Sequence, residues 1–232
     1  MQITGFHRWG FVIVRTAPYN DSNDELWTSL LERIRADTEN SMTRKPPGRP
    51  RDEETPALLL PLVRWDVLED REHALAGSDV DAARRLFSTW RDTVSVERDG
   101  EGADHMFVKL ARVARFRYFV MIDQESLESL NEERELAESP DRPRNLPPVK
   151  VRVVDAGSSA YALGKFPPPQ EVDEEDEEED ENDESTLRPI EGCTEWDVGW
   201  MWVSINFLLS FYDTLQADQG WDLFYERPPK IL

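Results

Sequence analysis

At 232 residues the chain is long enough for one large domain, or for a domain that carries a long insertion. Hydrophobic residues make up 39% and charged residues 32%, yet 8 Trp, 10 Phe and 5 Tyr call for a core, so composition excludes a collagen, a coiled coil, a membrane protein and a disulfide scaffold. With 48 acidic against 27 basic residues the net charge is −21, which argues against unspecific binding to nucleic acid, DNA and tRNA alike, or to anionic membranes.

WGFVIVRT at 9–16 is short, apolar and β-branched, bounded by Gly10 and the turn signal Pro18–Asn20, and reads as a buried strand. A capping box follows in Ser22 and Glu25, and Leu26, Trp27, Leu30, Leu31 and Ile34 recur at helical spacing to about residue 39. Residues 43–56 hold four prolines and a cluster of bases, Arg44, Lys45, Arg49 and Arg51, and read as a Pro-rich basic loop. The apolar stretch after it is broken by Pro61 and fits neither period. A helix capped by Ser78 or Asp79 carries Ala82, Ala83, Leu86, Phe87 and Trp90 on one face, and an acidic turn spans 95–104.

Lys109, Arg112 and Arg115 recur every three residues, after which RFRYFVMI at 115–122 reads as a strand ending at Asp123. A helix follows from about 123 to 138 with Leu127 and Leu130 inward, and VKVRVVDA at 149–156 alternates as a strand with one covered face. Residues 171–184, EVDEEDEEEDENDE, hold 12 acids and no base. Such a run repels itself and buries nothing, so 166–189 is expected to be a disordered loop inside a single domain spanning 1–232. Binding of cations or basic tails, and shielding of a basic site on the same chain, are the sharper alternatives for the run. VGWMWVSI at 198–205 is the last strand, running into the helix NFLLSFYDTLQ. Strands and helices mix without strict alternation, so the fold class is α+β, or a mixed-sheet α/β layer fold.

No phosphate-binding loop, dinucleotide fingerprint, zincin motif or nucleophile elbow is present. The single Cys193 permits neither an intramolecular disulfide nor a zinc site of cysteine type, and His7, His73 and His105 lie in unrelated contexts, so no metal and no cofactor are expected. The opening MQITGFHRWGFVIV lacks the pattern of a secretory signal, and no stretch approaches 18 apolar residues, which makes the cytosol the expected compartment.

Three groups carry candidate chemistry. Arg15, Asp123 and Asp155 each close a predicted strand, and ligands gather beyond strand carboxyl ends. Asp123, Glu125 and Asp155 are therefore candidate catalytic carboxylates, although Asp123 and Glu125 also suit a helix N-cap. Arg15, Trp200 and Trp202 are candidates for substrate binding, since tryptophan faces accept cations. Lys109, Arg112, Arg115 and Arg117, joined by Lys150 and Arg152, form a basic patch that suits phosphates. Ser158 and Ser159 just past a strand are a weaker nucleophile candidate than a plain turn.

WGFVIVRT with its acidic, Trp-containing helix, LAGSDVDAARRLFSTW with RYFVMIDQESLESL, and the closing VGWMWVSINFLLSFYDTL with WDLFYERPP together resemble a large group of fungal proteins of this length. Through that group the chain is similar to the fungal arginine-containing cyclodipeptide synthases, over nearly its whole length apart from the loops. The resemblance implies an enzyme of secondary metabolism that takes aminoacyl-tRNA and joins arginine to a second amino acid as a diketopiperazine. It also implies a tRNA partner contacted through 109–117 or 44–51. The alternative is a non-catalytic interaction module acting through the acidic run or the aromatic C-terminal surface. A pocket uniting Arg15, Asp123 and Asp155 is expected of the enzyme; the same residues locked in caps, beside an exposed apolar patch, are expected of the module.

Overall fold

A computed structural model describes residues 5–44, 54–71, 75, 77, 79–157, 187–217 and 219–232. It shows a mixed α+β fold built on a five-stranded sheet of order β2-β1-β3-β4-β5. The expected acidic loop lies outside the described residues except for 187–189, which have no regular structure. Ser158, Ser159, His73, Lys45, Arg49 and Arg51 also lie outside them.

Strand β1 (Val12–Arg15) is buried along its whole length. Helix α1 (Asp21–Thr43) starts one residue before the expected capping box, because the Asn20 side chain accepts from the Asn23 amide at 2.9 Å, and it continues past residue 39 to the edge of the Pro-rich segment. Its inward face is Asn23, Trp27, Leu30, Ile34 and Thr38, four steps of three or four residues. The expected loop 43–56 is shortened at both ends, since Thr43 still belongs to α1 and α2 (Glu54–Leu59) opens at residue 54. A 3-10 turn at Leu60–Leu62 places Pro61 in its first turn, where the missing N–H leaves no bond unmade. The two-residue strand β2 (Val67–Leu68), unreadable in the sequence, then pairs parallel with β1.

Helix α3 (Val80–Asp92) is capped by Asp79 and buries Val80, Ala83, Arg84 and Phe87. Three single turns follow, α4 (Val96–Asp99), α5 (Met106–Lys109) and α6 (Ala114–Arg117). The expected strand at 115–122 therefore loses its first three residues to α6, and β3 runs over Tyr118–Ile122, all five buried. β3 pairs parallel with β1 and antiparallel with β4 (Lys150–Asp155), which pairs antiparallel with β5 (Trp200–Ser204). Between β3 and β4 lies α7 (Gln124–Glu138). After β5 come a 3-10 turn at Ile205–Phe207, α8 (Leu208–Thr214) and α9 (Gly220–Phe224).

Both sheet faces are covered. Ile13, Val120, Ile122, Val151, Val153, Met201 and Val203 pack with Trp27, Leu30 and Ile34 of α1, Leu127 and Leu130 of α7, and Leu208, Phe211 and Tyr212 of α8. On the opposite face Val12, Val14, Phe119, Met121, Val154, Trp200 and Trp202 pack with Ala83 and Phe87 of α3. Parallel crossovers are right-handed, so the connections from β1 to β2 and from β2 back across to β3, which run in opposite directions, fall on opposite faces. That rule puts α1 and α3 where they are.

Candidate functional site

The three residues expected at strand carboxyl ends do not meet. β1 and β3 are parallel, so Arg15, opposite Ile122, and Asp123 share one end of the sheet. β4 runs the other way, and its last residue Asp155 pairs with Tyr118, the first of β3. The grouping of Arg15, Asp123 and Asp155 inferred from the sequence is thereby corrected.

Arg15 is fully buried. Its guanidinium lies over Tyr19 and Trp27, 4.2 and 5.0 Å from the ring centres, and donates to Asp24 at 2.5 Å and Glu69 at 3.3 Å. It pins the loop that leaves β1 and offers no open face to a substrate. Asp123 caps α7, accepting from the Ser126 amide at 2.9 Å and from the Ser126 hydroxyl at 2.7 Å, and its other oxygen meets Arg152 Nε at 2.7 Å. Glu125 accepts from Lys150 Nζ at 2.6 Å.

Trp200 and Trp202 are buried, with rings at 88° and 5.6 Å. Arg152 lies against both, at 4.1 and 5.1 Å, and Lys150 lies over Trp202 at 4.3 Å. These two bases of β4 are thus held by indole faces and carboxylates. The remaining basic candidates separate. Lys109 is exposed, Arg112 is exposed beside the Phe107 ring, and Arg115 is fully buried, donating to the Gly10 and Arg64 carbonyls at 2.8 Å and to Asp66. Burial depresses the proton affinity of Arg115, with Asp66 opposing.

A different constellation forms at the Tyr118 end of the sheet. Arg117 donates to both oxygens of Asp155, at 2.9 and 3.3 Å, and the Gly157 amide donates to the same carboxylate at 2.7 Å. Trp221 of α9 stacks on Tyr118, with ring centres 5.4 Å apart and a 12° tilt, and donates its indole N–H to Asp197 Oδ2 at 2.8 Å. The Gly199 amide donates to Asp197 Oδ1 at 2.7 Å, so each oxygen of that carboxylate has one donor. Burial nevertheless raises the Asp197 pKa, with help from the Asp155 and Asp222 charges. Burial also raises the Tyr118 phenol well above its ordinary value, and Asp155, Asp222 and Asp197 all push it the same way. Tyr225 accepts from the Val198 amide at 2.9 Å, and burial pushes its phenol up to about 12.

In front of this cluster opens a cleft of about 350 Å³. Arg112, Arg117 and Tyr118 form one wall; Leu215, Gln216 and Ala217, just past the carbonyl end of α8, form the other. Among the described residues Arg112 supplies the unpaired charge of the first wall, since Arg117 is held by Asp155, and it faces the last turn of α8, whose carbonyls accept from Leu215, Gln216 and Ala217. Three sequence candidates, Arg112, Arg117 and Asp155, are thereby brought together. Asp197, Asp222 and Tyr118 were not singled out in the sequence. The signal available for the acids is the Trp-Asp pair at 196–197 and 221–222, a dipeptide that also occurs away from this site at 65–66.

Among the described residues no group of three or more His, Cys, Asp or Glu side chains is placed to hold a metal ion, and no helix is long and apolar enough to cross a membrane. Compared with protein-family models, with curated proteins and with solved structures, the chain matches none.

Proposed function

We propose that the chain is an aminoacyl-tRNA-dependent cyclodipeptide synthase that joins arginine to a second amino acid, and that the Tyr118 cleft holds the aminoacyl group. The observation that carries this reading is the pairing of Asp155 with Tyr118 across the sheet and of Asp197 with the stacked Trp221, beside a cleft walled by Arg112 and Arg117. A substrate guanidinium would reach Asp155 by exchanging with the Arg117 fork that now holds it, one planar cation replacing another. The carbonyl end of α8 suits an α-ammonium. Arg112, which has no carboxylate partner among the described residues, suits the terminal phosphate of the tRNA.

The chemistry balances without ATP or a redox partner. The amine of one aminoacyl group attacks the ester carbonyl of the other, an amide forms, and a ribose hydroxyl leaves. A second attack closes the ring and frees the second tRNA. Each step moves one proton from the attacking nitrogen to the departing oxygen. Asp197, whose affinity for a proton is raised by burial, is the carrier in this reading. Aminoacyl-tRNA is a cytosolic species, which makes the cytosol the compartment of this activity.

Expression in a bacterial host with mass spectrometry of the medium tests the reading. The native chain is expected to release an arginine-containing diketopiperazine, and Asp197→Asn to release none while remaining soluble. Soluble native protein with no such product overturns it.

A second reading, the non-catalytic interaction module, is favoured by the arrangement expected of it: Arg15, Asp123 and Asp155 do not share a pocket, Asp123 is locked in the cap of α7, and Trp196, Leu223 and Phe224 on the C-terminal surface are 55%, 72% and 38% exposed. Product in the same experiment overturns that reading.

A further inference from the structure

A second recess lies along the β2 edge of the sheet, between the C-terminal half of α1 and the chain entering β2. It encloses about 490 Å³, within the range of about 300–1,000 Å³ for small-molecule sites, and shares no lining residue with the Tyr118 cleft. Arg35 and Thr38 line it from α1, and Val63, Arg64, Trp65 and Asp66 from the approach to β2.

The charges on these walls are unevenly matched. Asp66 is already answered by the buried Arg115. Among the described residues Arg35 has no carboxylate partner, and Arg64 donates only to the Pro61 and Val63 carbonyls, through one nitrogen. Both guanidiniums are solvent-exposed and keep donors for a ligand. Glu39 on the same wall is the opposing carboxylate. Trp65 is half-buried, its ring 6.4 Å from Phe11, and its indole N–H has no hydrogen-bond partner among the described residues. Two guanidiniums, that of Arg35 unpaired among the described residues and that of Arg64 with one nitrogen engaged and the rest of its donors unused, beside an indole with an unused donor match a planar, hydrogen-bonding ring joined to an anion.

We propose that this recess binds a nucleoside phosphate, with the base against Trp65 and the phosphate between Arg35 and Arg64. Arginine forks pair with phosphate oxygens in two parallel bonds, and an indole face stacks any base. The proposal stands apart from the aminoacyl reading, since it uses other residues on another edge of the sheet.

Calorimetric titration of the full chain with AMP, adenosine, inorganic phosphate and a 5′-phosphorylated trinucleotide tests it, at low and at physiological ionic strength. AMP is expected to bind saturably, more tightly than adenosine or phosphate alone, and more weakly as salt rises. The double variant Arg35→Ala with Arg64→Ala is expected to lose tenfold or more in AMP affinity with an unchanged thermal midpoint. Both side chains are exposed, so the variant leaves the core intact. Trp65→Leu is expected to weaken AMP and adenosine but not inorganic phosphate. A trinucleotide that binds tighter than AMP, with the same loss in the arginine variant, identifies a nucleic-acid end as the source of the same chemistry. Absence of saturable binding by AMP and the trinucleotide, or equal affinity in the arginine variant, overturns the site. Loss of this binding leaves diketopiperazine formation untouched, so the two readings fail separately.

Discussion

Arg112 and Arg115 stand three positions apart and have opposite roles. Arg112 is exposed and lines the cleft, whereas Arg115 is closed inside, where it joins the Gly10 and Arg64 carbonyls to Asp66 and so ties α6 to the chains entering β1 and β2. The Asp66 side chain is 44% exposed, so losing Arg115 chiefly strands the two carbonyls and the space it filled, at a cost of about 2–3 kcal/mol. Arg115→Ala is therefore expected to lower the denaturant midpoint strongly, while Arg112→Ala stays within about 0.5 kcal/mol of the native chain. Equal, small effects at both positions would show that Arg115 is not a structural tie. In the sequence the two arginines continue a basic repeat of three that starts at Lys109, with Arg117 two residues further on. What separates them is burial, and burial is set by where α6 ends and β3 begins. That boundary has no local marker, because RFRYFVMI has a strand's composition throughout.

The elements themselves were largely legible, and the direction of the strands was not. The burial of β1, β3 and β5 follows from apolar runs, and α3 and α7 from their caps and spacing. VKVRVVDA, however, alternates in the same way whichever direction β4 runs, so nothing in it tells Asp155 to face away from Asp123. β2 is two residues long and is a strand only because β1 lies beside it. The candidate site depends on a similar non-local arrangement, since α9 brings Trp221 against Tyr118 across about a hundred residues. Gly220 begins α9, and a Cβ built there would lie 2.1 Å from the Thr214 carbonyl oxygen, so the backbone itself has to move. Gly220→Ala is expected to cost about 1–3 kcal/mol, or roughly 2–4 °C in thermal midpoint for each kcal/mol. It also shifts Trp221 away from Asp197, which near-UV circular dichroism reports as a change in the tryptophan bands. An unaltered spectrum and midpoint would mean that α9 is not held at that contact.

For the whole molecule the dominant fact is charge. Of the net −21, 12 negative charges belong to residues 171–184, leaving 36 acids against 27 bases and a net of −9 elsewhere. Carboxylates this dense repel one another and gain nothing from burial, and their field opposes the approach of any polyanion, tRNA included. Replacing the run by a short Gly/Ser linker is expected to leave the thermal midpoint nearly unchanged, or to raise it slightly as self-repulsion is relieved. The same replacement is expected to strengthen binding to tRNA, and most at low salt, because the screening length shortens to about 8–10 Å near physiological ionic strength. Electrophoretic mobility-shift titrations at two salt concentrations, beside a thermal melt, read both effects on one preparation. A fall in midpoint of more than a few degrees would mean that the run is packed against the rest of the chain. Unchanged tRNA affinity at low salt would mean that its charge does not govern the approach of a polyanion.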